Sequence, residues 1–209
     1  MKKKISILLA VMMLAAVIPV NASALTFRDV PGHWAEAYIE KATDRKLVYG
    51  DLTNYRPDDS MTRAELVTVL WRAAGSPEPK GKATFTDLTK SWYQKPIAWA
   101  EENKVVNGVG GGAFDPDGNI TREQLATVLF RLSGGRSGME VLFTSIYDSQ
   151  FRDEDQISGY AKSALYWSIY NKVYCGVARP QVEFNLAPKA DATRGQVAVM
   201  IVRYLDRNK

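Results

Sequence analysis

Two residue types are nearly absent. Of 209 residues, one is cysteine, Cys175, and one is histidine, His33. A lone cysteine excludes an internal disulfide, so a core must stabilise the fold. It is expected as a buried small residue. One histidine and one cysteine make no Cys/His metal cluster, and His33, just before Trp34, is expected at a helix entry or on the surface. Acidic groups are missing from the first 24 residues. Lys2, Lys3 and Lys4 precede an apolar stretch from Ile5 to Ile18, broken only by Ser6, and Ala22-Ser23-Ala24 forms a small-residue cleavage signal. At 14 residues the stretch is shorter than the roughly 20 of a spanning helix, so it reads as a secretory signal peptide cleaved after Ala24. No second long apolar run follows, which argues against membrane insertion after cleavage, and no cysteine stands at the cleavage site to take a lipid. A place at the cell surface would then need a non-covalent grip. Without the leader the chain has 24 basic and 23 acidic residues, a net charge of +1 that gives no support for a nucleic-acid partner or a polybasic membrane surface.

Catalytic signals are also scarce. The carboxylate pairs Asp58-Asp59 and Glu101-Glu102 are sequence neighbours, which point in different directions on a helix. Asp115, Asp117 and Asn119 have the alternation of a calcium loop, but Ile120 stands where glycine is required and Ala126 where the closing glutamate belongs, so a turn is expected. There is no nucleophile motif, phosphate-binding glycine loop or heptad run. Neither an enzyme nor a cofactor is expected.

What is present is repetition. Lys46-Leu47-Val48-Tyr49-Gly50 matches Lys104-Val105-Val106-Asn107-Gly108 and Lys172-Val173-Tyr174-Cys175-Gly176. Ile39, Ile97 and Leu165 each stand 11 positions before the glycine, and Ala42, Ala100 and Ser168 share a second register. Upstream lie Phe27-Arg28-Asp29, Phe85-Thr86-Asp87 and Phe151-Arg152-Asp153. Downstream come Tyr55-Arg56-Pro57, Phe114-Asp115-Pro116, and Phe184 with Pro188. Each copy closes on Thr62-Arg63-Ala64-Glu65, Thr121-Arg122-Glu123-Gln124 or Thr193-Arg194-Gly195-Gln196. The division expected is a signal peptide at 1–24, repeats at 25–76, 83–132 and 151–209, and a Gly/Ser-rich linker at 133–150.

Every repeat reads as two helices. Ala35, Tyr38, Ile39 and Ala42 make an apolar stripe at helical spacing, ending near a glycine suited to a left-handed position. Pro96 is best tolerated in a first turn, which places the start of the corresponding second-repeat helix after Trp92. The later helix of each repeat carries Leu66, Val69 and Leu70; Leu125, Val128, Leu129 and Leu132; or Val197, Met200, Ile201 and Tyr204. A unit of about 50 residues is marginal alone. Three such units can close around a centre, giving one all-α domain with pseudo-threefold symmetry.

The Thr-Arg-x-Glu/Gln motif is a capping box: threonine accepts from the third helical N–H and Glu or Gln reaches back. That accounts for every residue but the arginine, which meets the positive end of the helix dipole at a cost of about 0.3–1 kcal/mol. Arg63, Arg122 and Arg194 make sense there if an anion arrives at bare helical amides, with guanidinium supplying a planar fork for a carboxylate. The alternative is an internal pairing with Asp29, Asp87 or Asp153.

The threefold pattern of Phe-x-Asp, Trp, Ile, Gly, aromatic-x-Pro and Thr-Arg-x-Glu after a signal peptide resembles the S-layer homology (SLH) family, from Phe27 to about Tyr204. The resemblance implies a three-pronged, pseudo-trimeric helical module, secreted to a Gram-positive-type cell wall or S-layer surface. It implies non-covalent binding of pyruvylated secondary cell-wall polysaccharide, whose ketal pyruvate is a carboxylate. By position, Arg63, Arg122 and Arg194 would grip that group or nearby sugar oxygens. Trp34 and Trp92 would give the sugar a flat wall. Gly50, Gly108 and Gly176 would allow close backbone approach, and Asp51 would accept from a hydroxyl. The third repeat departs from the pattern: Ser158-Gly159-Tyr160 replaces the tryptophan, and Gly195 costs up to about 1 kcal/mol in a helix. The alternative function is structural, an envelope or S-layer assembly protein acting through protein–protein contacts.

Overall fold

The structure is a computed structural model and describes residues 27–135, 151–174, 177–178 and 184–207. The signal peptide, Cys175, Gly176 and most of the expected linker lie outside the described residues. The fold is all-α, as the stripes predict. Its helices are α1 (Glu36–Asp44), α2 (Arg63–Ala73), α3 (Ser91–Glu102), α4 (Arg122–Leu132), α5 (Lys162–Tyr170) and α6 (Arg194–Arg207). Two short 3-10 turns, Glu154–Gln156 and Gly159–Ala161, lead into α5. Val177–Ala178 pairs antiparallel with Phe184–Asn185.

Helices pack across repeats. The later helix of each repeat lies against the first helix of the next: α2 on α3, α4 on α5, and α6 back on α1. The apolar stripes meet in one continuous core, with Ile39, Leu66, Leu70, Ile97, Leu125, Leu129, Leu165, Val197 and Ile201 buried.

Closure is written in the backbone. Met61 N–H donates to Ala192 O (3.0 Å), Ala192 N–H to Ile120 O (2.8 Å), and Ile120 N–H to Met61 O (2.9 Å). This triangle joins the residue just before each capping threonine. Around it, each later helix starts against the turn of the next repeat. The amides of Arg63 and Ala64 donate to Gly118 O and Pro116 O, those of Arg122 and Glu123 to Ala190 O and Pro188 O, and those of Arg194 and Gly195 to Asp59 O and Pro57 O, all at 2.8–3.0 Å. With the threonine caps on Glu65, Gln124 and Gln196, the first three amides of each of these helices are satisfied. The amides that the sequence argument left bare for an anion are therefore occupied, because the next repeat supplies the carbonyls.

Three local expectations need correction. The lysine four places before each glycine is left-handed, with φ of 57° at Lys46, 56° at Lys104 and 57° at Lys172, whereas Gly50 and Gly108 are not. Gly50 and Gly108 are required for space: a Cβ on Gly50 would stand 2.2 Å from Asn54 O and 2.4 Å from the Phe27 ring, and one on Gly108 would stand 2.4 Å from Ala113 O. Helix α3 begins before Trp92, at Ser91, and keeps Pro96 inside it, buried, giving up one helical hydrogen bond. Gly195 lets α6 approach closely, since a Cβ there would lie 3.1 Å from Pro57 O and 3.3 Å from the His33 ring. His33 sits at the entry to α1, as expected, accepting from Ala35 N–H and facing Asp58 at 3.3 Å.

Candidate functional site

The site begins with the aromatic-x-Pro turn. The residue before its proline has positive φ, 59° at Arg56, 60° at Asp115 and 50° at Ala187, and in repeat three Leu186 rather than Phe184 takes the aromatic's place. The aspartate of Phe-x-Asp holds this turn by its amides. Asp29 accepts from Tyr55 and Arg56 N–H, Asp87 from Phe114 and Asp115 N–H, and Asp153 from Leu186 and Ala187 N–H, at 2.6–2.9 Å. The motif arginine of the preceding repeat holds the same turn by its carbonyl. Nε of Arg63 donates to Phe114 O, of Arg122 to Leu186 O and of Arg194 to Tyr55 O, at 2.8–2.9 Å. Each guanidinium also lies over an aromatic ring, 4.6–4.8 Å from the centroid of Phe114, Tyr174 or Tyr55. The arginine is thus a staple between repeats, and the aspartate serves the turn rather than forming an ion pair with it.

Partial burial pushes the Asp29 and Asp87 carboxyls up, but the two turn amides each accepts, with their own backbone amides, bring both below the usual carboxylate range. A folded pKa below the unfolded value of about 4 contributes stability that is present above that pH and lost as pH falls through the folded value. Replacing both with Asn is therefore expected to lower stability at neutral pH and to flatten its decline between about pH 5 and pH 2. Urea titrations at several pH values measure this; an unchanged acid limb would deny the two carboxylates that role.

Where the staple of repeat one meets repeat two, a groove of about 370 Å³ opens. It is lined by Arg63, Leu66 and Val67 of repeat one and by Asn107, Gly108, Phe114, Gln124, Thr127 and Arg131 of repeat two. Tyr160 of repeat three also lines it. Nη2 of Arg63 donates to Asn107 O at 3.0 Å. Oriented to satisfy both neighbours, the Asn107 amide donates to Val106 O and accepts from Arg131 Nη2 at 3.1 Å. Burial pulls the pKa of Arg63 and Arg131 below the arginine norm, opposed for Arg63 by Asp115, Tyr160 and Asp87 and for Arg131 by Tyr160. Among the described residues, no carboxylate lines the groove.

Of the residues expected at the site, Arg63 and Gly108 share this groove. Trp34 and Trp92 are 60% and 48% exposed at the starts of α1 and α3. Asp51 spends one oxygen on Thr53 and Asn54 N–H, closing its own loop beside Gly50. Arg194 stands at the equivalent seam between repeats three and one, bonded to Tyr49 O and 3.5 Å from Glu65. Arg122 is 2% exposed at the remaining seam.

Sequence reasoning missed three residues. Tyr160, 54% exposed, is the repeat-three counterpart of Trp34 and Trp92, counted back from Leu165, Ile39 and Ile97. Its phenol, pushed up to about 12 by burial and then by Glu123, donates to the Glu123 carboxylate at 3.0 Å. Glu123 is only 3% exposed and also accepts from Ser158 and Lys189. The signal was there: Thr-Arg is followed by Ala64, Glu123 and Gly195, one of them acidic. Arg131 had a signal too, since Arg72, Arg131 and Arg203 each follow a motif arginine by nine positions.

Among the described residues, no group of three or more His, Cys, Asp or Glu side chains could hold a metal, and no helix is long and apolar enough to cross a membrane.

The chain is 29% identical to the surface-layer 125 kDa protein of Lysinibacillus sphaericus over 94% of its own length and 16% of that protein's. It is 36% identical to the S-layer protein sap of Bacillus anthracis over 57% of this chain and 15% of that one. An amylopullulanase of Thermoanaerobacterium thermosulfurigenes is 28% identical over 88% of this chain and 10% of the enzyme. The chain thus spans less than a quarter of the length of each. Residues 26–67 and 84–126, which fall within the first and second repeats, match the S-layer homology domain.

Proposed function

We propose that this chain is a secreted, non-catalytic module that holds an anionic, pyruvylated cell-wall polysaccharide without a covalent link, through grooves at its inter-repeat seams. One observation carries the reading: the Arg63 groove brings two guanidinium groups and the ring of Tyr160 together with no carboxylate in its lining among the described residues. Such a cleft, within the usual small-molecule range of about 300–1,000 Å³, suits a sugar ring bearing one negative group. The ring supplies an apolar face, and the buried Arg63 and half-buried Arg131 supply charge and fork-shaped donors. The S-layer homology match and the surface-layer relatives support a place in the cell envelope.

The test is retention on purified wall polysaccharide before and after chemical removal of pyruvate. Retention is expected on the intact polymer alone, to weaken with salt, and to drop about tenfold or more in Arg131→Ala, whose side chain is not a staple. Equal retention on both polymers would remove the glycan reading. It would favour contacts between envelope proteins, for which the fully exposed Leu52 and the half-exposed Val109 at the loop tips are available.

A further inference from the structure

The seams are not equivalent, and the difference lies in the third residue of the capped helix. At each of two seams the motif arginine faces that residue of the following repeat. Arg63 shares its groove with Gln124, whereas Nη1 of Arg194 lies 3.5 Å from a Glu65 carboxylate oxygen. Glutamate and glutamine both complete the cap here: Glu65 accepts from Thr62 N–H and Gln124 from Thr121 N–H. Capping therefore does not explain the choice, but charge separates the seams. A second substitution acts the same way. Arg131 lies beside the small amide of Asn107, leaving room above it. Its counterpart Arg72 is covered by Tyr49, with the guanidinium 4.6 Å from the ring centroid and Nη1 donating to Leu47 O.

We propose that the two seams differ in ligand charge: the Arg63–Arg131 groove takes the carboxylate-bearing sugar, while the Arg194 seam, neutralised by Glu65 and covered by Tyr49, does not. Gln124 and Glu65 are then the specificity-determining residues. An incoming carboxylate at Arg194 meets a like charge already in place, and like charges set against each other in a partly desolvated cleft are strongly disfavoured. At Arg63 it meets two cations in a groove that no carboxylate lines among the described residues, with Asp87 held by its turn amides and Asp115 acting on Arg63 from outside the lining. The inference rests on the proposed glycan function and sharpens it to one seam.

The experiment is an NMR titration of the full chain with a methyl hexoside bearing a pyruvate ketal, and with the same hexoside lacking it. The Nε–Hε signals of Arg63 and Arg194 are followed separately. Expected are saturable shifts at Arg63 with the acidic hexoside and none at Arg194. Gln124→Glu should weaken binding at Arg63 about tenfold, and Glu65→Gln should create a response at Arg194. Both variants keep a capping side chain found in this chain, so unchanged thermal unfolding is the control for folding. Equal responses at both arginines in the wild type, or no change in either variant, would overturn the assignment. Identical titrations with the acidic and neutral hexosides would instead strike the glycan reading beneath it.

Discussion

A chain ending at Leu132 is expected to lose its cooperative unfolding transition altogether, although it keeps both stretches that match the S-layer homology domain. In an open array each repeat leans on its neighbours, and removing the last one costs only its own share. Here the helices pair between repeats and the ring closes. Removing repeat three takes α5 from α4 and α6 from α1, uncovering the buried faces of two helices at once. It breaks two of the three bonds in the Met61, Ile120 and Ala192 triangle. It strips Arg122 and Glu123 of the carbonyls that receive their amides, and the Arg122 guanidinium of Leu186 O. Each orphaned buried group costs about 1–3 kcal/mol, against a total stability of about 5–15 kcal/mol for a domain. Far-UV circular dichroism through a urea titration reads the outcome. A sharp transition in the truncated chain, with a midpoint near that of the full one, would mean that the repeats are stable in pairs and that closure adds little.

The same closure explains what could be read from residues alone. Helix positions, caps and apolar stripes are local, and each was signalled by spacing within one repeat: Ile39 with Ala42, Thr62 with Glu65, Leu125 with Leu129. What escaped depends on a partner elsewhere in the chain. The amides of Arg63 and Ala64 looked bare because their acceptors, Gly118 O and Pro116 O, are backbone carbonyls of another repeat, and a carbonyl leaves no mark in the sequence. The left-handed lysines 46, 104 and 172 were hidden for a related reason: glycine is the usual occupant of that position, so a glycine four residues on drew the eye. Tyr160 was masked by the change from indole to phenol and by the 3-10 turns that replace a clean helix start. Asp29 and Asp87 were visible as recurrent acids but not as holders of turns 26 to 28 residues downstream.

Arg122→Ala is expected to cost about 3 kcal/mol of stability, a fall in melting temperature of about 6–12 °C for a chain of this size. The sign matters more than the size. An arginine kept at a helix N-terminus only to await a ligand would be a burden on the free protein, and its removal would be neutral or would return the few tenths of a kcal/mol lost to the dipole. An arginine that serves as a staple must behave in the opposite way. Arg122 is 2% exposed, donates to Leu186 O at 2.9 Å and lies over the Tyr174 ring, whose hydroxyl reaches the same carbonyl at 2.6 Å. Asp153 holds the Leu186 amide from the other side. Truncation removes a charged hydrogen bond worth about 1.5–3 kcal/mol and a desolvated cation–ring contact of about 1–2 kcal/mol, and it leaves a hole between repeats two and three. Arg122→Lys should recover less than half, because an ammonium has neither the planar face for the ring nor the fixed fork for the carbonyl. Urea unfolding of the three proteins decides it. A variant as stable as the parent would return Arg122 to the role of a waiting ligand contact, whereas a loss of the expected size makes this arginine a structural joint between repeats two and three.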